Sequence, residues 1–145
     1  MSGLHLGLDL GGTNIKVALV SAADGDMRVA STDSVDTGAG DGPEVVTTNL
    51  IEVGLDAVER FEVATLGLGV PGHFDRDSGE VLLFPNLPGD WSGFPLRTRL
   101  EEAVGIDIWM INDARAFTLA EGVLGAGKGC DPVACITLGT GVGGV

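Results

Sequence analysis

The string Leu8-Asp9-Leu10-Gly11-Gly12-Thr13-Asn14-Ile15-Lys16 gathers a carboxylate, two adjacent glycines, a hydroxyl and an ammonium. Consecutive glycines between strands leave backbone amides able to face a polyphosphate. Thr13 offers a hydroxyl to a phosphate oxygen, and Lys16 adds positive charge. Asp9, at a strand end, can hold magnesium through water. The same string also reads as an ordinary Gly-Gly β-turn.

Three further strings carry chemistry. Gly139-Thr140-Gly141-Val142-Gly143-Gly144 follows an apolar run and has the G-x-G-x-x-G spacing. No helix and no downstream acid follow, as a dinucleotide fold would require. A second phosphate-binding hairpin, paired with the first, suits the string better. Asn112-Asp113 sits between a strand and a helix, where ligands bind in α/β sheets. Asp113 there reads either as a general base for a hydroxyl proton or as a helix N-cap. Asn112 offers a donor and an acceptor to a pair of sugar hydroxyls. In Gly69-Val70-Pro71-Gly72-His73-Phe74-Asp75, Pro-Gly forces a turn that exposes backbone amides. His73 is placed to reach a substrate there, but alone it reads as a surface histidine.

These groups need elements to hold them. Residues 4–10 alternate strictly, with leucine on one face, and predict a strand. Residues 15–20 and 27–31 predict two more. Gly11 to Asn14 and Asp24-Gly25 are the hairpin turns between them. Residues 33–42 are polar and glycine-rich and read as a loop. Pro43 opens a helix over 44–60, with Val46, Leu50, Ile51, Leu55 and Val58 at helical spacing. Residues 65–70 form a strand ended by Pro71-Gly72. Asp77-Ser78-Gly79 turns the chain into 81–84. Leu96, Leu100 and Val104 mark a second helix, opened by Pro95 and closed by Gly105. A strand over 106–111, a helix over 114–124 and a strand over 133–138 complete the order. Three antiparallel strands followed by alternating units predict an α/β fold with a mixed sheet covered by helices.

The 145 residues suit one domain or slightly more. Apolar residues are 44% of the chain, enough to bury a core. Asp and Glu number 21 against 8 Lys and Arg, a net charge of −13. That balance argues against nucleic acid and against an anionic membrane as partners. The N-terminus lacks the basic region of a secretory signal. Cys130 and Cys135 are not at zinc spacing and cannot build a disulfide framework, which favours a cytoplasmic protein. The 24 glycines lie in clusters beside apolar runs, as expected of backbone brought close to phosphate.

Taken together, the strings resemble the ROK family of bacterial sugar kinases and repressors, in the actin-like/ribonuclease H-like ATPase superfamily. The resemblance rests on Leu8 to Lys16, Gly67-Leu68-Gly69-Val70-Pro71-Gly72, Asn86-Leu87-Pro88-Gly89-Asp90-Trp91 with Pro95-Leu96, and Asn112-Asp113-Ala114, in the family's order. Leu138 to Gly144 looks like the family's second phosphate loop. Arg115 stands where family members often carry Asn.

The resemblance implies a glucokinase-like transfer of phosphate from ATP to a hexose, with Mg2+ as cofactor. Asp113 would be the base. Asn112, Gly72, His73 and Asn86 would bind the sugar. Gly11, Gly12, Thr13, Asn14, Lys16, Gly139, Thr140, Gly141 and Gly143 would hold the phosphates, and Asp9 the metal. It implies a ribonuclease H-like lobe over 1–115, with helices on both faces of its sheet, and the start of a second lobe over 116–145. Family members run well beyond this length, and the second half carries further sugar ligands, a Cys-rich zinc motif and the adenine pocket. The chain is therefore expected to be a fragment, inactive alone, with no zinc motif of its own. A homodimer is expected. The alternatives are a non-catalytic sugar-binding or regulatory protein, without a repressor's DNA-binding segment, and a truncated product folded by burying residues 133–138 in a dimer.

Overall fold

The computed structural model describes residues 3–23, 26–138 and 142–144. A five-stranded sheet organises the chain, in the order β3-β2-β1-β4-β7. β1 (Gly3–Leu10), β2 (Asn14–Ala23) and β3 (Asp26–Asp36) form the opening antiparallel meander. β4 (Val63–Val70) returns parallel to β1, and β7 (Ile108–Asn112) lies parallel to β4. A small pair, β5 (His73–Phe74) and β6 (Val81–Leu83), projects after β4. The expected mixed α/β sheet is therefore present.

Alternation decides which face is which. Leu6, Leu8 and Leu10 of β1 and Leu66, Leu68 and Val70 of β4 point into one core. α1 (Pro43–Arg60) covers them with Val46, Leu50 and Ala57. Each buried leucine contributes roughly 1.5–3 kcal/mol of transfer free energy. α2 (Leu96–Val104) packs beside α1 through Leu96, Leu100 and Val104 and ends at Gly105 in the left-handed region. The opposite face carries small or polar side chains, among them Gly7, Asp9, Gly67 and Gly69. α3 (Asp113–Val123) shares a cleft with that face but has no fully buried residue. Helices thus lie on both faces, two on the core side and one on the other.

Several boundaries differ from the sequence expectation. β3 runs on to Asp36, so residues 33–36 are strand and not loop. They extend because Asn14 to Val17 pair with Asp33 to Asp36 across the sheet, a contact that local composition does not encode. Asn14 belongs to β2, and the turn is Gly11-Gly12-Thr13. The seventh strand starts at Ile108 and includes Asn112, and α3 starts at Asp113. The 115/116 boundary expected between lobes therefore falls in the first turn of a continuous helix. Of residues 133–138 only β8 (Ile136–Leu138) is strand, with Ile136 71% and Leu138 80% exposed. β8 pairs with β9 (Val142–Gly144) as an antiparallel hairpin. The Asp24-Gly25 turn lies outside the described residues, although Ala23 and Asp26 pair on either side of it.

Candidate active site

The carboxyl ends of the parallel strands β1, β4 and β7 meet at one end of the sheet, where open α/β sheets bind ligands. Register places Asp9 beside Gly69, and Gly69 beside Ile111. A cleft of about 1480 Å³ opens over this row on the second face. Asp9, Lys16, Asn86 and Asp113 all line it. Four residues singled out from three separate strings are thus brought together.

Asp9 stands directly across from Lys16, and the Lys16 Nζ lies 3.6 Å from Asp9 Oδ2. The Asp9 carboxylate spreads over Gly69, where a Cβ would sit 3.6 Å from Oδ1. A Cβ at 69 would therefore touch the carboxylate at ordinary van der Waals distance.

The hairpin turn is closed by a bond from the Gly11 N–H to the Asn14 carbonyl, 3.1 Å. A Cβ on Gly11 would lie 2.8 Å from that carbonyl oxygen, so only glycine fits without rearrangement. Gly12 approaches the Asn86 carbonyl, which a Cβ would meet at 3.2 Å. The turn and the segment carrying Asn86 are therefore in near contact. Buried Phe84, Leu87 and Trp91 anchor that segment. The Trp91 indole donates to the Pro88 carbonyl at 3.1 Å, and its ring packs on Phe84 at 5.0 Å between centroids.

Thr37 was not marked by any sequence motif. It is fully buried at the end of β3. Its N–H donates to the Thr13 carbonyl at 2.9 Å and its hydroxyl to the Gly11 carbonyl at 2.8 Å. Asn49 of α1 donates to the Thr37 carbonyl at 3.2 Å.

Asn112 takes the N-cap position that the sequence left open to Asp113. Its Oδ1 accepts from the Arg115 N–H at 3.2 Å. Its Nδ2 donates to the Gly72 carbonyl, also at 3.2 Å. An amide has two N–H groups and two acceptor lone pairs, so one of each remains for a ligand. Asp113 is the first residue of α3 and is exposed, and its Oδ1 accepts from the Ala114 N–H at 2.7 Å.

Gly72 and His73 do not line the cleft, and neither do Asn112 and the Gly11 to Asn14 turn. Gly72 has φ +113°, and a Cβ there would collide with the Leu83 carbonyl. His73 is exposed and pairs with Leu83. The hairpin beyond is set by Asp75, whose Oδ1 accepts from Asp77 N–H at 2.9 Å and Ser78 N–H at 2.8 Å. The Ser78 N–H, above all, holds the Asp75 carboxyl below its ordinary value.

Of the second glycine loop, Gly139, Thr140 and Gly141 lie outside the described residues. Gly143 pairs with Thr137 in the β8–β9 hairpin, and Thr137 and Leu138 line the same cleft as Asp9 and Asp113. The segment is thus flanked by hairpin strands, not by a strand and a helix. Among the described residues no three His, Cys, Asp or Glu side chains gather as a metal cluster, and no helix is long and apolar enough to cross a membrane. Cys130 and Cys135 are both free thiols.

Known proteins resemble this chain in sequence and fold. The glucokinase of Thermotoga maritima is 40% identical over 139 residues, covering 96% of this chain and 43% of its own length. The glucokinase of Streptomyces coelicolor is 36% identical over 142 residues, covering 98% of this chain and 43% of itself. The chain thus spans less than half the length of these curated relatives. Among solved structures, a ROK family glucokinase from Streptomyces griseus, in complex with glucose and AMPPNP, superposes with a TM-score of 0.84 at 38% identity. That match covers 98% of this chain and 43% of the other. An inorganic polyphosphate/ATP-glucomannokinase from Arthrobacter superposes with a TM-score of 0.83 at 31% identity, over 98% of this chain and 57% of its own. The ROK family pattern itself matches residues 5–145, and with that span the chain belongs to the ROK family.

Proposed function

We propose that this chain carries the first part of an ATP-dependent hexose kinase of the glucokinase class. The observation that carries the reading is the meeting of Asp113, Asp9 and Lys16 in one cleft at the carboxyl ends of the parallel strands. The likeness to glucokinases, one of them bound to glucose and AMPPNP, supports it.

The roles follow from the chemistry. A hexose hydroxyl oxygen attacks the γ-phosphorus of ATP. The bond from that phosphorus to the bridging oxygen breaks, and ADP leaves. The hydroxyl proton passes to the Asp113 carboxylate, which stands exposed at the cleft wall. Asn112 uses its spare N–H and lone pair to orient the sugar, with Gly72, His73 and Asn86 bounding it. The turn Gly11-Gly12-Thr13, with Asn14 and Lys16, holds the phosphates from one side. Gly139, Thr140, Gly141 and Gly143 are assigned to the phosphates as well. Asp9 suits Mg2+, being a half-exposed carboxylate that lines the cleft. When bound, that ion neutralises phosphate charge.

In this reading residues 1–115 form one lobe and 116–145 begin the second. A cytoplasmic place in sugar catabolism and a homodimer accompany it. The exposed apolar side chains of β8 support an assembly that covers them.

The test, on the protein with its second half present, is sugar-dependent ADP release, with a hexose panel and Mg-ATP, together with binding of glucose and Mg-ATP by calorimetry. Binding of both ligands, with turnover lost in Asp113→Asn wherever turnover is measurable, is the expected result. Failure to bind either ligand overturns the proposal.

A further inference from the structure

We infer that Thr37, backed by Asn49, is a positioning residue that fixes the Gly11-Gly12-Thr13 turn in its phosphate-receiving form. This rests on the kinase reading above.

Thr37 is completely buried, yet all its polar groups are used. Two of its three bonds go to the turn, through its N–H to the Thr13 carbonyl and its hydroxyl to the Gly11 carbonyl. The third is the bond it accepts from Asn49 on α1. The turn is therefore tied through one residue to α1, which packs on the core.

The direction of these bonds matters. A trans peptide is planar, and its C=O and N–H point to opposite sides. Drawing the Gly11 carbonyl onto the Thr37 hydroxyl forces the Gly12 N–H to aim away from Thr37. A glycine pair has little conformational preference of its own. Without the tether the Gly11–Gly12 peptide is free to turn over, and the amide is no longer aimed. An amide fixed beforehand costs less to order when the phosphate arrives. The hydroxyl thus sets nucleotide affinity without touching nucleotide.

A merely structural role would weaken every ligand together. A positioning role is selective, because the sugar rim at Gly72 and Asn112 is built from β4 and β7. Thr37→Val keeps the shape and removes the hydroxyl. It is expected to raise the Kd for Mg-ATP about tenfold while the Kd for glucose stays within about twofold. Amide exchange at Gly11 is expected to speed by about the same tenfold, with the amides of α1 unchanged. Thr37→Ser, which retains the hydroxyl, restores both. Should Thr37→Val fail to fold, Asn49→Ala is read in the same assays and moves them in the same direction by less.

Equal loss of glucose and Mg-ATP affinity overturns the inference. So does a wild-type chain that binds both ligands while Thr37→Val matches it, and then the kinase reading stands. A wild-type chain that takes up glucose but no Mg-ATP removes the phosphate-turn reading itself, and this inference with it.

Discussion

The Asn112 side chain ties the end of β7 to the turn after β4, its Nδ2 donating to the Gly72 carbonyl at 3.2 Å while its Oδ1 caps α3. One amide thus fixes the start of the helix that carries Asp113 and the turn at Gly72, proposed to border the sugar. The two functions separate by substitution. Asn112→Asp keeps an N-cap acceptor but replaces the donor with a carboxylate facing a carbonyl. It is expected to keep α3 and weaken glucose binding at neutral pH. Asn112→Ala removes both and costs about 1 kcal/mol of stability from the cap alone. Urea unfolding and calorimetry with glucose distinguish the two variants.

Gly72 cannot carry a side chain. Its φ of +113° is unfavourable for L-residues, and a Cβ would meet the Leu83 carbonyl and lie 2.8 Å from Pro85 Cδ. Gly72→Ala is expected to destabilise by roughly 1–3 kcal/mol and to displace the Asn112 contact. Glucose affinity should fall while Mg-ATP affinity holds. A variant with wild-type melting and wild-type glucose affinity contradicts the collision.

Asp113 makes only a local bond to its neighbour's N–H, so little stability depends on its charge. Asp113→Asn is expected to fold normally and bind glucose and Mg-ATP with near-native affinity. Turnover, in a preparation where it is measurable, should fall by about 10²- to 10⁴-fold, the usual worth of a general base. Single-turnover kinetics with each hexose check this directly.

How much of this was legible depended on where each residue's partner lies. β1 was readable because leucine alternates with small and polar residues inside one strand. α1 and α2 were bracketed by Pro43, Pro95 and Gly105, which act locally. The tail of β3 was not, because Asp33 to Asp36 are extended only by pairing with β2. An edge strand needs no apolar stripe, so composition gives a loop. The sequence reading offered Asp113 as the cap of α3, one residue late, since Asn is as good a cap as Asp and only backbone geometry chooses Asn112. The row Asp9, Gly69, Ile111 follows from strand register, and spacing within one string cannot reveal it. Thr37 carries no motif at all, and its partners Gly11, Thr13 and Asn49 are distant in sequence.

The acidic surface predicts a defined pH response. Glu44 is held below its ordinary 4.5, chiefly by the hydrogen bond from the Arg99 guanidinium, which in turn is held above its ordinary value by Glu44. Both pairs of atoms lie 2.7 Å apart, joining α1 to α2. A depressed folded pKa means that the stabilisation is fully present above 4.5 and is lost as pH falls through the lower folded value. Asp75 behaves alike below its ordinary 3.8. Melting temperature should therefore differ between wild type and Glu44→Gln at neutral pH, and the gap should close in acid. Because the pair is exposed, added salt should narrow the gap as well.

Lys16 and Asp9 form an exposed pair, with side chains 76% and 49% accessible. Such a pair contributes at most about 1 kcal/mol to stability. Lys16→Met should therefore leave the melting temperature nearly unchanged. Its effect should appear in the nucleotide, because Lys16 lines the cleft in which the phosphates are proposed to bind. The Kd for Mg-ATP should rise, and its dependence on salt concentration should become shallower, since one cation fewer takes part. Glucose affinity, governed by the Gly72 and Asn112 rim, should not move. A large fall in melting temperature with unchanged Mg-ATP affinity would reverse the assignment and make Lys16 a partner of Asp9 alone.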